Sequence, residues 1–339
     1  MSNNRVHVYV LSGFLGSGKT TLLTKAIDYF TEAGRKPAVI MNEIGEVNLD
    51  GQLIANEVPM SELLGGCICC SSRGDLGTAL NELVTGEQPD LIFVESTGIA
   101  NPMEVIDEIT DASLLLPIEL SAIITVVDAP QLLELNRTSR GKTFRLMRDQ
   151  IRCANLLLLN KTDLLQESTL QEVHELVREW NPYAEMHYTV FSQIDIKLIE
   201  DMHTGESGRA VEQVDTNDEA QPHSHEHHHS HNHVMAYTHF FERAVDSNAF
   251  EEFVSKLPRE VYRAKGILSF SDTSSRFLFQ YAYREMDFVK ITPKGDVPDV
   301  AVFIGENFAK DAIRAELLRL EAMPASGQNN EQEQVNPQQ

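Results

Sequence analysis

Residues 13–20 read Gly-Phe-Leu-Gly-Ser-Gly-Lys-Thr, the spacing of a loop that binds the phosphates of a nucleoside triphosphate. Glycines let backbone N–H groups converge on phosphates because no Cβ stands in the way. Lys19 would neutralise the β- and γ-phosphates, and Thr20 would offer a hydroxyl to Mg²⁺. The alternative is a glycine-rich turn without a ligand. The nucleotide-binding residues predicted in this phosphate loop and directly after it are Gly13, Gly16, Ser17, Gly18, Lys19, Thr20 and Thr21.

An acidic residue must complete such a site by holding the metal or the attacking water. Residues 91–94 are apolar and strand-like, and Glu95 follows them directly. Gly98 then lies where a turn that senses the γ-phosphate is expected. The sequence therefore predicts that Glu95 is a catalytic Mg²⁺ ligand and that Gly98 contacts the nucleotide. Asp128, at the end of the next apolar run, is a second candidate for the acid.

Asn160, Lys161 and Asp163 follow another apolar run and fit the N-K-x-D pattern that selects guanine. The Asp carboxylate accepts hydrogen bonds from the ring N–H and the exocyclic amine of guanine. Adenine lacks these donors, so a buried acceptor would stay unpaired against it. The bound nucleotide is therefore predicted to be GTP or GDP, with these three residues at the base.

Three thiols lie within four residues, at Cys67, Cys69 and Cys70. Soft thiolates favour Zn²⁺ or Cu⁺, and an incomplete ligand set leaves an open position for transfer of the ion. A disulfide framework would space its cysteines apart, so in a reducing compartment this cluster predicts metal binding. A buried cluster of small apolar side chains and a redox pair are the two alternatives.

A His-rich tract occupies residues 222–233. Imidazole nitrogens bind Zn²⁺, Ni²⁺ and Co²⁺. A histidine at every second position suits several weak sites on a flexible segment. The predicted auxiliary metal ligands are His225, His227, His229 and His231. The alternative is an inert, solvated linker.

Strand-like and helix-like segments alternate along the first 200 residues. Apolar runs of strand length, suited to burial on both faces of a sheet, occur at 6–11, 37–41, 91–94, 122–127 and 156–159. Helices are expected around 20–30, 76–85, 103–109, 144–154 and 169–180. This alternation predicts the α/β fold of a P-loop NTPase, with a doubly wound, mostly parallel sheet.

The composition changes after residue 200. Residues 201–234 are acidic and then His-rich, which predicts a disordered linker. Residues 235–324 again mix strand and helix patterns and predict a smaller α+β domain with a largely antiparallel sheet. The Gln- and Asn-rich residues 325–339 are predicted to be a disordered tail. Residues 1–200 would thus form the nucleotide-binding domain.

The formal net charge of -23 argues against nucleic acid or an anionic membrane as a partner. The sequence has no apolar run long enough to span a membrane. Its N-terminus lacks the charged start, apolar core and cleavage site of a signal peptide. We therefore expect a cytoplasmic protein with no nucleic-acid and no membrane partner.

Taken together, these motifs resemble those of the CobW family of metal-handling P-loop GTPases, in its zinc-linked branch. The matching pieces are residues 13–20, Asn-Glu-Ile-Gly-Glu at 42–46 with Asp-Gly at 50–51, Gly-Gly-Cys-Ile-Cys-Cys at 65–70, Glu-Ser-Thr-Gly at 95–98, Asn-Lys-Thr-Asp at 160–163 and Arg-Ala-Lys-Gly at 263–266. The resemblance covers nearly the whole chain except the linker and the tail. A Cys-x-Cys-Cys motif beside a phosphate loop is highly specific to this family.

The resemblance implies a cytoplasmic GTPase that delivers zinc, or in some members cobalt, to a client metalloprotein. It implies that Glu95 is the Walker B acid of this group. By position, the metal-binding motif would comprise Cys67, Cys69 and Cys70, and Glu46 would supply an oxygen ligand.

The resemblance also assigns Glu43 and Asp50 to a switch-like segment, residues 42–51. There they would touch Mg²⁺ or position water, as catalytic residues alongside Lys19 and Glu95. One departure concerns Met41, which stands where some members have a metal-binding carboxylate. That version of the metal site is therefore in doubt for this chain.

The leading hypothesis is a zinc metallochaperone that couples GTP hydrolysis to metal transfer to a client protein. Its cofactors would be GTP or GDP, Mg²⁺ and Zn²⁺, and it would form a homodimer on nucleotide or metal binding. One alternative is a non-catalytic zinc buffer or storage protein, which gives no role to Glu95 or Asp163. Another is a GTPase that inserts cobalt or nickel. A small-molecule kinase is disfavoured because N-K-x-D selects guanine.

Overall fold

The computed structural model describes residues 5–41, 58–62, 75–138, 140–202, 234–282, 284–293, 297–306 and 308–323. These residues divide into two compact units. The first unit holds the described residues up to Glu108 and those from Leu120 to residue 202, and the second holds Ile109–Glu119 and those from Val234 onward. The helix at 102–112 and the strand at 118–128 each have most of their residues in the first unit.

The first unit is built on a parallel sheet flanked by helices. Its strands are β1 (Val6–Ser12), β2 (Pro37–Met41), β3 (Met60–Glu62), β4 (Leu91–Glu95), β5 (Ile118–Asp128), β6 (Leu156–Asn160) and β7 (Glu185–Thr189). Its helices are α1 (Lys19–Glu32), α2 (Asp75–Glu82), α3 (Pro102–Ala112), α4 (Ala129–Thr138), α5 (Lys142–Cys153), α6 (Glu167–Trp180) and α7 (Lys197–Asp201). A π-helical turn (Leu83–Glu87) follows α2, and a 3-10 turn (Thr162–Leu164) follows β6.

Among the described residues, the seven strands follow the order β3-β2-β4-β1-β5-β6-β7. In the parallel pairing of β1 with β4, Leu11 lies opposite Glu95. On the other side of β4, Met41 lies opposite Glu95. Since the strands run the same way, the loops after their carboxyl ends gather along one edge of the sheet. The predicted P-loop NTPase fold with a parallel sheet is confirmed.

Apolar side chains cover both faces of this sheet. Successive residues of β6 alternate between two core clusters, with Leu158 in one and Leu159 in the other. Phe30 of α1 packs in the first cluster, and Phe144 of α5 packs in the second. This double burial explains why the central strands are continuous apolar runs. Among the described helices, none is long and apolar enough to cross a membrane.

Two strands of the sheet were not predicted from the sequence. The edge strand β7 reads Glu-Met-His-Tyr-Thr and is largely half-exposed, so it lacks a continuous apolar run. The other, β3, has only 3 residues. A third strand, β5, begins at Ile118, before the apolar run predicted at 122–127. Strands that are short, or that contain polar and small residues, therefore lack the continuous apolar run on which the prediction of strands relied.

The second unit is an antiparallel sheet with two helices among its described residues. Its strands are β8 (Val234–Phe240), β9 (Val261–Ser269), β10 (Arg276–Ala282), β11 (Glu285–Ile291) and β12 (Val300–Glu306), in the order β11-β10-β9-β12-β8. The helices are α8 (Ser247–Ser255) and α9 (Lys310–Glu321). This architecture confirms the smaller α+β domain predicted after the linker.

The core of the second unit is aromatic. Phe250 of α8 is fully buried and makes an edge contact with Phe279 of β10, with ring centroids 5.0 Å apart. It also contacts Phe270 and Phe288. Aromatic pairs in such tilted geometry contribute about 0.5–1.5 kcal/mol each beyond the area that they bury. These ring contacts therefore stabilise the packing of α8 against the sheet of the second unit.

The end of β8 is set by a carboxylate of α9. The strand stops at Phe240, because the backbone N–H groups of Glu242 and Arg243 donate to Glu321 Oε1 at 2.5 and 3.2 Å. The other oxygen of Glu321 pairs with the buried His239 side chain at 3.2 Å. The Glu321 carboxylate, at the end of α9, thus accepts hydrogen bonds from backbone N–H groups that would pair with a neighbouring strand if β8 were longer.

Gly266, in the Arg-Ala-Lys-Gly motif of β9, is required by the packing of its neighbours. A Cβ there would lie 2.3 Å from Val300 O and 2.4 Å from the Phe279 ring. We expect Gly266→Ala to lower the opening free energy of β9 and β10 by about 1–3 kcal/mol, because the buried ring must shift. Amide hydrogen exchange of these strands would measure the loss.

Gly77→Ala is the matched control for this substitution. Gly77 lies in α2 and has no atom within 4 Å of an added Cβ. Alanine there should leave the second unit unchanged and stabilise α2 by up to about 1 kcal/mol. Unaltered exchange of β9 in Gly266→Ala would contradict the packing argument.

Candidate functional site

The phosphate loop joins the end of β1 to the start of α1. Its three glycines have positive φ angles of +134° at Gly13, +72° at Gly16 and +115° at Gly18. A Cβ on Gly13 would lie 2.2 Å from Val126 O, so the loop closes against β5 only without a side chain there. Glycine is thus demanded both by backbone conformation and by space.

The loop offers donors that suit phosphate groups. Ser17 Oγ is buried and has no hydrogen-bond partner within the described residues. Lys19 is also buried, and its Nζ donates to Phe14 O at 3.4 Å, across the loop. The first turn of α1 adds the positive end of the helix dipole. An anionic ligand fits a cradle of this composition.

Thr20 and Glu95 meet at the carboxyl edge of the sheet. Thr20 Oγ1 donates to Glu95 Oε1 at 2.9 Å, although 75 residues separate them in the chain. Glu95 is only 4% exposed and ends β4. A hydroxyl and a carboxylate held together beside a phosphate loop are the oxygen ligands that Mg²⁺ prefers. The two residues predicted to hold Mg²⁺ are therefore neighbours.

The turn after Glu95 packs directly on the phosphate loop. A Cβ on Gly98 would lie 2.4 Å from Leu15 N, so Gly98 allows the two backbones to touch. Ser96 Oγ donates to Leu11 O at 3.0 Å and anchors the start of the turn to β1. The two loops are therefore in direct backbone contact.

Gln150 of α5 forms a hydrogen bond with this turn. It was not predicted as a site residue from the sequence. The residue is 1% exposed in α5, and its Nε2 donates to Gly98 O at 3.2 Å. The backbone carbonyl of Gln150 accepts a hydrogen bond from Thr125 Oγ1 of β5 at 3.0 Å. The available signal was a polar residue on the core-facing side of α5, next to the buried Ile151.

The Asn160 side chain joins three loops. Its Nδ2 donates to Ser17 O at 2.7 Å, and its Oδ1 accepts from Ser192 N at 2.9 Å and from Thr189 Oγ1 at 3.1 Å. Ser192 Oγ in turn donates to Gly18 O at 3.0 Å. The amide therefore ties the N-K-x-D motif, the phosphate loop and the loop after β7 together. Ser192 is a second residue that sequence reasoning missed.

Asp163 lies in the 3-10 turn after β6 and is exposed. Lys161 precedes it in a left-handed conformation, with φ of +62°. Lys161 Nζ pairs with Asp128 Oδ2 at 2.5 Å, and Asp128 Oδ1 accepts from Gln131 N at 3.0 Å. Asp128 is therefore engaged by the N-K-x-D motif and the first turn of α4, whereas Glu95 is the acid beside Thr20.

The remaining predicted site residues lie outside the described residues. They are Glu43, Glu46 and Asp50 of the switch-like segment, the thiolate residues Cys67, Cys69 and Cys70, and His225, His227, His229 and His231. Within the part of the chain that the structure describes, no three His, Cys, Asp or Glu side chains are grouped to hold a metal ion. These assignments stay predictions.

Comparison with known families decides the identity of the fold. Residues 7–188 match the family described as CobW/HypB/UreG, nucleotide-binding domain, and residues 234–321 match the cobalamin synthesis protein cobW C-terminal domain. The chain belongs to the CobW family. The family predicted from the motifs is thus confirmed, and both of its domains are present.

Curated relatives carry names that refer to zinc. The chain is 30% identical over 323 residues to the zinc chaperone YjiA of Escherichia coli K12, covering 92% of this chain and 98% of that protein. It is 32% identical over 235 residues to zinc-regulated GTPase metalloprotein activator 1 of Dictyostelium discoideum, covering 59% of this chain and 49% of the relative. The chain thus spans about half of the length of the Dictyostelium relative.

A solved structure has a similar description. The crystal structure of Zn(II)-bound YjiA GTPase from E. coli is 26% identical in sequence, with a TM-score of 0.46. The alignment covers 93% of this chain and 99% of that one.

Asn160→Ala should damage the site and the fold together, because three partners of a buried amide lose their hydrogen bonds. We expect the affinity for GDP to fall at least about tenfold and the free energy of unfolding to drop by about 2–4 kcal/mol. Isothermal titration and denaturant unfolding would measure the two effects. Asn248→Ala, at an exposed position of α8, is the matched control. GDP affinity equal to that of the unmodified protein would contradict the role assigned to Asn160.

Proposed function

We propose that this CobW-family protein is a zinc metallochaperone that hydrolyses GTP and couples hydrolysis to release of zinc to a client metalloprotein. The Thr20–Glu95 contact at the carboxyl edge of the sheet carries this proposal. The strands on one side of Glu95 lead directly into the two segments that bear the predicted switch and thiolate residues. The names of the relatives support the choice of zinc and of GTP.

The phosphate loop would hold the triphosphate through backbone N–H groups, with Lys19 against the β- and γ-phosphates. Thr20 and Glu95 would hold Mg²⁺, which supplies charge neutralisation for the developing charge in phosphoryl transfer. Glu43 and Asp50, as residues of the switch-like segment, would touch Mg²⁺ or position the attacking water. Asp163 would read the guanine edge, since its carboxylate is exposed to accept two hydrogen bonds.

The strand pairing supports a link between the nucleotide site and the segments that bear the predicted metal ligands. Met41, the last residue of β2, pairs with Glu95 on one side and with Glu62, the last residue of β3, on the other. The switch-like segment begins directly after Met41. Cys67 follows Glu62 by five residues, which limits the distance between their Cα atoms to about 18 Å. The predicted switch and thiolate residues therefore follow two neighbouring strands on the same side of Glu95, which supports a coupling between them.

Zinc, as the cargo, would be held by Cys67, Cys69 and Cys70, with Glu46 as an oxygen ligand. Three thiolates and a carboxylate complete a tetrahedral set, and movement of the switch-like segment would remove the carboxylate. Binding of cobalt or nickel at the same residues follows the general affinity of such ligands. The His-rich tract would collect metal weakly, because its imidazoles are spaced for several shallow sites.

Client recognition and assembly complete the proposal. The client would be a metalloprotein of unknown identity whose vacant site accepts Zn²⁺ from the thiolates. We propose in addition that a homodimer forms on nucleotide or metal binding. The proposed function includes neither a nucleic-acid partner nor a membrane partner.

Zinc titration in two nucleotide states tests the coupling. The protein loaded with a non-hydrolysable GTP analogue should bind Zn²⁺ at least about fivefold more tightly than the GDP form, the lower bound of usual coupling free energies. A competing chromophoric chelator would measure both affinities. Replacement of the three thiolate cysteines by serine should abolish tight binding, whereas Cys153→Ala, at a buried position of α5, should retain the difference. Equal affinities in both states would favour a zinc buffer instead.

Asp163→Asn tests the guanine assignment. An amide cannot accept both donors of guanine, but it can donate to the 2-carbonyl of xanthine. We expect the affinity for GDP to fall by about 100-fold or more and that for xanthosine diphosphate to rise. Asp287→Asn, at an exposed position of β11, is the matched control. Unchanged preference for GDP, or a preference for ADP in the unmodified protein, would overturn the assignment.

A further inference from the structure

The loop after β7 contains a turn of unusual composition, residues 190–193. Gln193 N donates to Val190 O at 3.1 Å, which closes a four-residue turn. Its two central residues both have positive φ, +52° at Phe191 and +51° at Ser192. This is the type I′ conformation, which strongly favours Asn-Gly or Gly-Gly. A bulky aromatic residue in that position is strained.

The contacts of this aromatic turn explain why the strain persists. Phe191 O accepts from Lys25 Nζ of α1 at 2.6 Å. Ser192 is held from both sides, through its N–H to Asn160 and through its hydroxyl to Gly18 O. The backbone is therefore determined by the phosphate loop and the N-K-x-D motif. Strained residues that the surroundings over-determine tend to cluster at ligand sites.

The side chain of Phe191 is exposed to solvent. Phe191 is 77% exposed, the most exposed large apolar side chain among the described residues. Leu164, directly after Asp163, is 66% exposed. Thr162 Oγ1 donates to Thr189 O at 3.2 Å and holds these two loops side by side. The aromatic turn is therefore adjacent to the N-K-x-D motif, whose Asp163 is expected to read the edge of the base.

We infer that the Phe191 ring forms one wall of the purine-base pocket and stacks on the face of the base whose edge Asp163 reads. This inference rests on the proposed guanine site. Aromatic stacking is indifferent to the substituents on the base edge, because every base has a π-face. Phe191 therefore contributes affinity for any purine nucleotide, while Asp163 decides which purine binds.

Nucleotide affinities of Phe191 variants test the inference. Phe191→Ala should weaken GDP, inosine diphosphate and a GTP analogue by a similar factor of roughly tenfold, as expected for loss of one base–aromatic stack. The ratio of GDP to inosine diphosphate affinity and kcat at saturating GTP should stay unchanged. Phe191→Tyr should retain the affinity. Tyr183→Ala removes another exposed aromatic side chain of the same unit and should have no effect.

Phe191→Gly separates the ring from the backbone. Glycine adopts positive φ without strain, so this variant keeps the turn and loses only the ring. It should lose affinity as Phe191→Ala does. In Phe191→Trp, stacking on guanine should quench indole fluorescence when GDP is added, beyond the change seen in the unmodified protein, which has Trp180 as its single tryptophan.

Each result decides the matter. Full affinity for purine nucleotides in Phe191→Gly, or no added quenching in Phe191→Trp, would overturn the stacking role and leave the guanine site standing. Failure of the unmodified protein to bind guanine nucleotides would overturn the proposed function together with this inference. A tenfold loss that is uniform across the purines, with kcat intact, is the result that the inference requires.

Discussion

The buried amide of Asn160 is the interaction on which the site depends. A single side chain satisfies a carbonyl of the phosphate loop, a backbone N–H of the aromatic turn and a hydroxyl of β7. In a buried environment each of these groups would cost about 1–3 kcal/mol if left unsatisfied. The amide therefore fixes the phosphate loop, the N-K-x-D motif and the aromatic turn relative to one another.

Strand order sets the surroundings of Glu95. β4 lies between β1 and β2, so Glu95 stands between the strand that enters the phosphate loop and the strand that leads into the switch-like segment. Gly98 then touches the phosphate loop without a side chain between the backbones. The turn after β4 and the phosphate loop are therefore in backbone contact beside Glu95.

Backbone strain is distributed unevenly around the site. At the phosphate loop the positive φ angles fall on glycines, where they cost little. On the base side they fall on Lys161, Phe191 and Ser192, which have side chains. The difference follows from what each part must do. Phosphates are bound by backbone N–H groups that need open space, whereas a planar base also needs side chains against its face and edge.

The sequence by itself determined what is encoded locally. The glycines, Lys19 and Thr20 of the phosphate loop, the apolar runs of the central strands and the family follow from residue types at short spacing. Edge strand β7 was not predicted, because it is half-exposed and lacks a continuous apolar run.

Only the tertiary structure decided which side chains support these motifs. Ser192 reaches Gly18 across 174 residues, and Gln150 reaches Gly98 across 52, distances at which no local pattern operates. Asp128 and Glu95 look alike as acids at strand ends. The fold separates them, because Asp128 meets Lys161 whereas Glu95 meets Thr20. Residue type sets what a group can do chemically, and long-range packing sets which partner it meets.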